Sequence, residues 1–361
     1  AFNTLNITPI GSGPYKIKSV KRNSLGLPTI YDLIKFGLHA PDKPYINNIV
    51  VRFYQNERDL LNAYKRGEIE SLSGISPENA SEIDTDRSEI IKVPLGRVFG
   101  VFFNQNQATV FANKEVRLAL DAAVDKESII KEVLLDFGRV ASGPVPIATK
   151  IETSNNRDEA LNILTKNGWT LNETTGIMEK KLKSETIKLT FSLSTGSAPE
   201  LKRAAEIVRD NWKAIGADVN LEIFETNDLN QSVIRPRKYD ALFFGEVVGR
   251  DYDLYPFWHS SQRNDPGLNI ALYTNIKADA ILEKIRVTND RNARIEEIEK
   301  LIPIINEDRP AVFVYSPDFI YVIPKKLHDV KPEKIVNSND RFMNISKWYI
   351  DTNRVWKIFN K

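Results

Sequence analysis

The densest group of chemically capable side chains in the 361-residue sequence is Gly249-Arg-Asp-Tyr-Asp-Leu-Tyr-Pro-Phe-Trp-His-Ser260. It holds two carboxylates, Asp251 and Asp253, and four aromatic rings, Tyr252, Tyr255, Phe257 and Trp258. Tyrosine and tryptophan offer apolar area at low entropic cost together with a polar tip. A carboxylate drawn partly out of water needs a cationic partner, such as a ligand ammonium. The segment therefore suits an amphipathic guest with a positive group. The competing reading has the rings plugging a core beneath a loop and the acids solvated, and composition alone leaves the two readings even. A reading from another class is hydrolysis of a glycoside or peptide, with Asp251 and Asp253 as acid and base.

Other chemistries find less support. Gly11-Ser-Gly13-Pro-Tyr15 lacks the Lys-Ser/Thr of a phosphate loop, and Pro14 removes a backbone N–H that a phosphate cradle would use, so a turn is expected. His39, His259 and His328 are far apart, without the spacing that sets two ligands on one helical face, and no metal or cofactor is expected. A Gly-x-Ser-x-Gly nucleophile motif is absent. The lack of cysteine excludes disulfides, thiolate catalysis and Cys-ligated metals. Fifty Lys and Arg against 48 Asp and Glu give a net charge of +2, which provides no broad field for a polyanion and argues against nucleic acid as a main partner. No apolar run is long enough to span a membrane, and Ala1-Phe2-Asn3-Thr4-Leu5 has none of the regions of a signal peptide, so an exported protein would have had its address removed.

The loop needs elements to hold it, and the periodicities supply them. Ile187, Leu189, Phe191 and Leu193 alternate as in a strand, Ser197-Ala-Pro-Glu200 reads as a capping box, and Leu201, Ala204, Ala205, Val208, Trp212 and Ile215 share one helical face. Gly216 stops that helix, and Val219, Leu221 and Ile223 resume the alternation, which makes a β-α-β unit. Ala241-Leu-Phe-Phe244 is apolar throughout, as in the middle of a sheet covered on both faces. In open α/β sheets ligands bind beyond the carboxyl ends of strands, which is where the 249–260 segment falls. Further strands are predicted at 49–53, 69–72 and 98–103, and helices at 57–66, 114–124, 127–135, 158–166, 278–287 and 291–305. Two apolar runs, 311–315 and 319–323, flank a Ser316-Pro-Asp318 turn signal. The fold class that follows is α/β.

At several points in order the chain resembles extracellular solute-binding family 5, the oligopeptide, dipeptide and nickel receptors of ABC importers. Gly11-Ser-Gly13-Pro14-Tyr15 is similar to the family's Gly-Thr-Gly-Pro-Tyr, Pro44-Tyr45-Ile46 to its Pro-Tyr-Leu, and Gly67-Glu68-Ile69-Glu70 to its Gly-Glu-Ile-Asp. Val101-Phe-Phe-Asn104, Phe111, Val116-Arg117, Ala119-Leu120 and Asp125 resemble its next signature. Gly143-Pro-Val-Pro146, Ala160, Leu164, Gly168-Trp169, Asn269, Tyr273, Asn275 and Asp279 continue it.

The resemblance implies a periplasmic-binding-protein type II fold of two lobes and no catalysis, with peptides bound in an interlobe cleft by hinge closure. Family order puts 1–105 and 326–361 in lobe I and 106–325 in lobe II. The polar stretch Asn104–Thr109 and the end of the apolar run at Ile323–Asp329 are plausible crossovers. Complete members carry a further N-terminal segment, so lobe I is expected to be incomplete here. By resemblance Asp251 holds a peptide ammonium, with Asp253 as its competitor, and Tyr252, Tyr255 and Trp258 line a side-chain pocket. Asn269 and Tyr273 lie in a family segment near the cleft, with loop packing as the alternative. The strand 98–104, including Phe102 and Asn104, is expected to pair its backbone with an extended ligand. Val248 stands where some peptide binders have tryptophan. The implied partners are a peptide or other small amphipathic ligand and an ABC permease. The implied state is a monomer outside the cytoplasm, in the periplasm or lipid-anchored at the cell surface, and the third alternative is an interaction module with no ligand.

Overall fold

The computed structural model describes residues 7–38, 43–146, 156–332 and 335–351. His39 lies outside them. The chain divides into two compact units, one of residues 1–93 with 319–361 and one of 94–318.

The first unit opens with an antiparallel meander, β1 (Tyr15–Arg22), β2 (Pro28–Lys35) and β3 (Asn48–Arg52). Its register lines up Ile17 with Leu33 and Ile49, and Val20 with Tyr31 and Val51, so β-branched and aromatic residues share one face. No residue of these strands is fully buried. The helix Glu57–Lys65 starts where the Asn56 side chain accepts the Asp59 N–H at 2.9 Å. It stops at Gly67, whose φ of +73° is open to glycine at little cost. β4 is only Leu72–Ser73, shorter than the predicted 69–72, and β5 spans Ser88–Pro94.

The second unit is built on a sheet whose strands are β6 (Arg97–Phe103), β11 (Thr190–Gly196), β12 (Asp218–Phe224), β13 (Ala241–Val247) and the first half of β14 (Ala311–Pro324). They lie in the order β12-β11-β13-β6-β14. The short strands β7 (Gly138–Val140), β8 (Trp169–Leu171), β9 (Met178–Lys181) and β10 (Thr186–Lys188) complete the run. β11 is parallel to β12 and β13, while β6 is antiparallel to β13 and β14.

Alternation along the strands decides the layers. Val101 and Phe103 of β6, Phe191 and Leu193 of β11, and Ala241 and Phe243 of β13 enter one core, which the helices Lys114–Ala123 and Pro199–Lys213 cover. Val98, Phe102 and Leu242 enter a second core on the opposite face, under the helices Ile276–Val287 and Arg291–Asp308. The apolar reading of 241–244 as a strand buried on both faces holds. Close packing of β6 on β14 needs a glycine, since a Cβ on Gly100 would stand 2.6 Å from the Val312 carbonyl oxygen.

Three local predictions are corrected. The alternation through Ile187 and Leu193 is not one strand. It changes sheet at Leu189, whose N–H bonds Met178 O and whose C=O takes the Asp218 N–H, each at 2.8 Å. No capping box forms at Ser197. The helix starts at Pro199 without a side-chain cap, and Ser197 Oγ donates to Glu225 at 3.0 Å instead. No turn forms at Ser316-Pro-Asp318, and β14 runs straight through it. Tertiary pairing outweighs the local signal there. Pro317 O accepts the Leu95 N–H at 3.0 Å, the Asp318 N–H reaches Phe137 O at 2.9 Å, and the Asp318 carboxylate meets Arg139 at 2.6 Å. The remaining strands, β15 (Leu327–His328) and β16 (Tyr349–Ile350), pair with each other in the first unit.

Candidate functional site

The 248–258 loop leaves the carboxyl end of β13, an interior strand, in the second unit. Val248 anchors its start, being fully buried with its N–H on Gly96 O at 2.7 Å. The chain then reverses at Tyr252, held at a left-handed φ of +51° with its N–H on Gly249 O at 3.1 Å. Leu254 and Trp258 are fully buried and pin the far end. Between these anchors Asp251 is left in solvent, with its side chain 84% exposed. Its carboxylate is 3.5 Å from Arg294 Nη1, while the same guanidinium is tied to Thr288 O at 2.7 Å and 3.0 Å. An exposed pair at that separation contributes little, so a second cation can displace it.

Asp253 is more committed. Its Oδ1 accepts the Tyr255 N–H at 3.2 Å and its Oδ2 is 3.8 Å from Arg286. Arg286 also covers the Tyr255 ring at 4.4 Å, and the other partner of that ring is His259, stacked at 4.1 Å. The Ser261 N–H points at His259 Nδ1 at 3.1 Å, which leaves Nε2 to face Glu283 at 3.6 Å and Asp279 at 3.9 Å. Tyr252 is half-buried, and that burial pushes its hydroxyl pKa up.

The remaining predicted residues are placed in the scaffold. Phe102 and Trp258 are fully buried in the second core, with ring centroids 6.1 Å apart. Asn269 is also fully buried, and its side chain is spent on its own chain. Nδ2 donates to His259 O at 3.1 Å and Tyr273 O at 3.0 Å, and Oδ1 accepts the Tyr273 N–H at 3.0 Å. Tyr273 donates to Asp308 at 2.6 Å, and burial together with that carboxylate pushes its hydroxyl pKa up. Asn104 follows β6, its Nδ2 donating to Arg237 O at 2.9 Å and its Oδ1 accepting the N–H groups of Asn106 and Gln107 at 3.2 Å. Backbone pairing of strand 98–104 with an extended ligand is corrected outright. β6 is flanked by β13 and β14, so its ladder groups are already used on both sides.

Asn269 joins the two ends of the 259–273 turn, so Asn269→Ala leaves two carbonyls and one N–H without partners in a dry site. The expected loss is about 1–3 kcal/mol in urea unfolding, with Asn269→Asp recovering only the bond that Oδ1 accepts. Two groups near the loop escape a reading of motifs. Arg294 lies on a helix more than 40 residues downstream, a separation of 43 from Asp251. Glu246 is a carboxylic acid only 3% exposed, beside Trp258. Period-two counting along β13 finds it, because Leu242, Phe244, Glu246 and Val248 share the face of the second core.

The comparisons with known proteins agree with this architecture. The model for "Bacterial extracellular solute-binding proteins, family 5 Middle" matches residues 1–267. The oligopeptide-binding protein AppA of Bacillus subtilis (strain 168) is 27% identical over 358 residues, 95% of this chain and 62% of that protein. The nickel-binding protein NikA of Staphylococcus aureus is 22% identical over 343 residues, 93% of this chain and 65% of that protein. The chain thus spans less than two thirds of either relative's length. Among solved structures, Bacillus subtilis AppA in complex with a nonapeptide superposes with a TM-score of 0.65 at 26% identity, covering 95% of this chain and 67% of that one. The substrate-binding protein CtaP of Listeria monocytogenes gives a TM-score of 0.77 at 23% identity, covering 96% of this chain and 68% of that one. With an α/β sheet covered on both faces, an acid-bearing loop at a strand's carboxyl end and a family model matching most of its length, the chain belongs to the bacterial extracellular solute-binding proteins, family 5.

Proposed function

We propose that the chain is the peptide-recognising part of an ABC importer's substrate-binding component, acting outside the cytoplasm and handing its guest to a permease without catalysis. The observation that carries this reading is Asp251, a carboxylate held by both ends of its loop in a fixed place yet left exposed, with one long contact to Arg294. A guest ammonium would take over that carboxylate, forming a charge-assisted hydrogen bond. Tyr252 and Tyr255 flank it with apolar surface. Trp258, Asn269, Tyr273, Phe102 and Asn104 serve as the frame that fixes the loop. The similarity to oligopeptide-binding AppA supports a peptide as the guest. Asp253 is the weaker candidate because it caps its own turn and faces Arg286. The two lobes proposed are those expected from the sequence with their boundaries moved from 105 and 326 to the division of the compact units, 1–93 with 319–361 and 94–318, because β6 lies inside the sheet of the second unit. Guest binding then shifts an equilibrium of states by the contacts that favour the bound one.

Isothermal titration with a defined tri- to pentapeptide mixture tests this. Asp251→Ala is expected to weaken binding at least about tenfold, a loss of about 1.4 kcal/mol, with unchanged unfolding. Asp251→Asn is expected to match the alanine variant, since it keeps the shape and drops the charge. N-terminal acetylation of the peptides should reproduce the loss in the wild type. Equal affinity for free and acetylated peptides would remove the ammonium contact from the reading.

A further inference from the structure

Asp251 and Arg294 form an uneven pair. The Asp251 side chain is 84% exposed, so water solvates it whether or not the guanidinium is near, whereas the Arg294 side chain is only 19% exposed. Arg294 Nε and Nη2 share one acceptor, Thr288 O, at 3.0 Å and 2.7 Å. Its Nη1 reaches Asp251 O at 3.3 Å and the Asp251 carboxylate at 3.5 Å. Thr288 closes the helix Ile276–Val287 and Arg294 stands in the first turn of the helix Arg291–Asp308, so the guanidinium is fixed where one helix ends and the next begins. Among the described residues Asp251 is the only carboxylate in ion-pair reach of it.

The other acids of the loop and of the two helices are engaged elsewhere. Asp253 faces Arg286 at 3.8 Å, and Glu283 faces His259 at 3.6 Å. Asp290 accepts the Ala293 N–H at 2.8 Å as a helix cap, and Glu297 holds Lys284 and Lys300 at 2.9 Å and 2.7 Å. When a guest ammonium takes over Asp251, that carboxylate exchanges one cation for another. The guanidinium, in contrast, keeps only carbonyl dipoles in a place largely shut from water, and a charge so stripped of its counter-ion weakens binding. A guest that brings its own carboxylate to Nη1 removes the penalty. In an extended tri- to pentapeptide the carboxyl terminus is carried away from the ammonium at about 3.3–3.4 Å per residue. The first side chain, however, starts on the carbon that bears the ammonium, and an aspartate places its carboxylate one carbon further on. Charge-assisted bonds of about 2.7–2.9 Å from that ammonium to Asp251 and from Nη1 to that carboxylate fit across the 3.5 Å opening.

We propose that Arg294 is the residue that selects among guests, giving preference to peptides that begin with aspartate, whose ammonium pairs with Asp251 while the side-chain carboxylate pairs with Arg294. The inference rests on the ammonium reading of Asp251 and adds to it the class of peptide.

Isothermal titration of the whole chain with Asp-Ala-Ala-Ala, Asn-Ala-Ala-Ala and acetyl-Asp-Ala-Ala-Ala tests the proposal. The first two probes differ in one charge and hardly in shape, so the wild type alone gives a result. It is expected to bind the aspartyl peptide at least about tenfold more tightly than the asparaginyl one, and acetylation is expected to abolish that advantage. In Arg294→Gln the ratio between the two peptides should fall to about one, and in Arg294→Lys, which keeps a cation, part of it should return. Equal affinity for the two free peptides together with a loss on acetylation overturns the preference and leaves the Asp251 contact standing. An aspartyl preference that survives acetylation removes the ammonium contact, and the paired arrangement with it. A preference of the same size in Arg294→Gln assigns the carboxylate to another cation and likewise overturns the proposal, as does binding of neither free peptide.

Discussion

Raising the pH above 5 is expected to cost the second unit stability at up to about 1.4 kcal/mol per pH unit through one residue, and Glu246→Gln is expected to remove that slope. The carboxyl of Glu246 is buried in the second core, and neither oxygen closes a hydrogen bond of good geometry. Burial raises its pKa well above 4.5, and the indole N–H of the adjacent Trp258 opposes the rise only in part. The folded chain therefore holds a proton that the unfolded chain releases. The resulting stability is fully present below the unfolded value and is lost as the pH climbs towards the folded one. Urea unfolding of the wild type and Glu246→Gln at pH 5, 6, 7 and 8 isolates the effect, because every other titrating group is common to both. The difference should widen in favour of glutamine at each step within that window. Parallel profiles would show that the carboxyl is charged in the native chain and that its surroundings are wetter than the structure has them.

Arg117→Lys is expected to destabilise the second unit by about 3–5 kcal/mol. The guanidinium is buried and serves three main-chain carbonyls. Nη1 donates to Phe111 O at 2.5 Å, Nη2 to Asp308 O at 2.8 Å, and Nε to Arg309 O at 3.1 Å. It thereby fastens the helix Lys114–Ala123 to the end of the helix Arg291–Asp308, where Arg309 takes a left-handed φ of +48°. Burial lowers its pKa, the nearby carboxylates of Asp308 and Glu115 oppose that fall, and its N–H groups are spent on main-chain carbonyls. A lysine offers a point charge in place of a planar fork and cannot span the three acceptors. Denaturation followed through Trp212, buried in the adjoining core with its Nε1 on Leu120 O at 2.8 Å, reads the change. A loss below about 1 kcal/mol would mean that water or a shifted lysine replaces the clasp.

Much of the frame was legible because periodicity is a direct image of burial. The unbroken apolar runs at 98–103 and 241–244 encode a sheet with a core on each face, and the structure fills both. What local pattern could not show was pairing between distant segments. The Ile187–Leu193 alternation is continuous in sequence although Leu189 hands the chain from one sheet to another. Ser316-Pro-Asp318 carries every mark of a turn, but the contacts with Leu95, Phe137 and Arg139 that keep it extended lie far away in sequence.

The loop divides in the same way. Its location at the end of β13 and its wealth of aromatics were readable, whereas the split between exposed and buried members was not. Tyr255 and Trp258 are similar letters three positions apart. Only the helix underneath decides that one meets Arg286 and the other disappears beneath Phe313. For Asn269 and Tyr273 the sequence offers loop packing as readily as a place near the cleft, and the hydrogen bonds between them and to His259 account for every polar atom of the Asn269 side chain.

β14 has a consequence for how such a sequence can change over time. Its 14 residues serve the second unit with one half, where Val312 and Val314 fill a core, and the first unit with the other, where Tyr321 and Val322 pair with β4. Side chains along it point alternately to opposite faces, so adding or deleting a single residue near Pro317 would turn every following side chain to the wrong face. Letters in this stretch are free to drift within their size and polarity, but their number is locked.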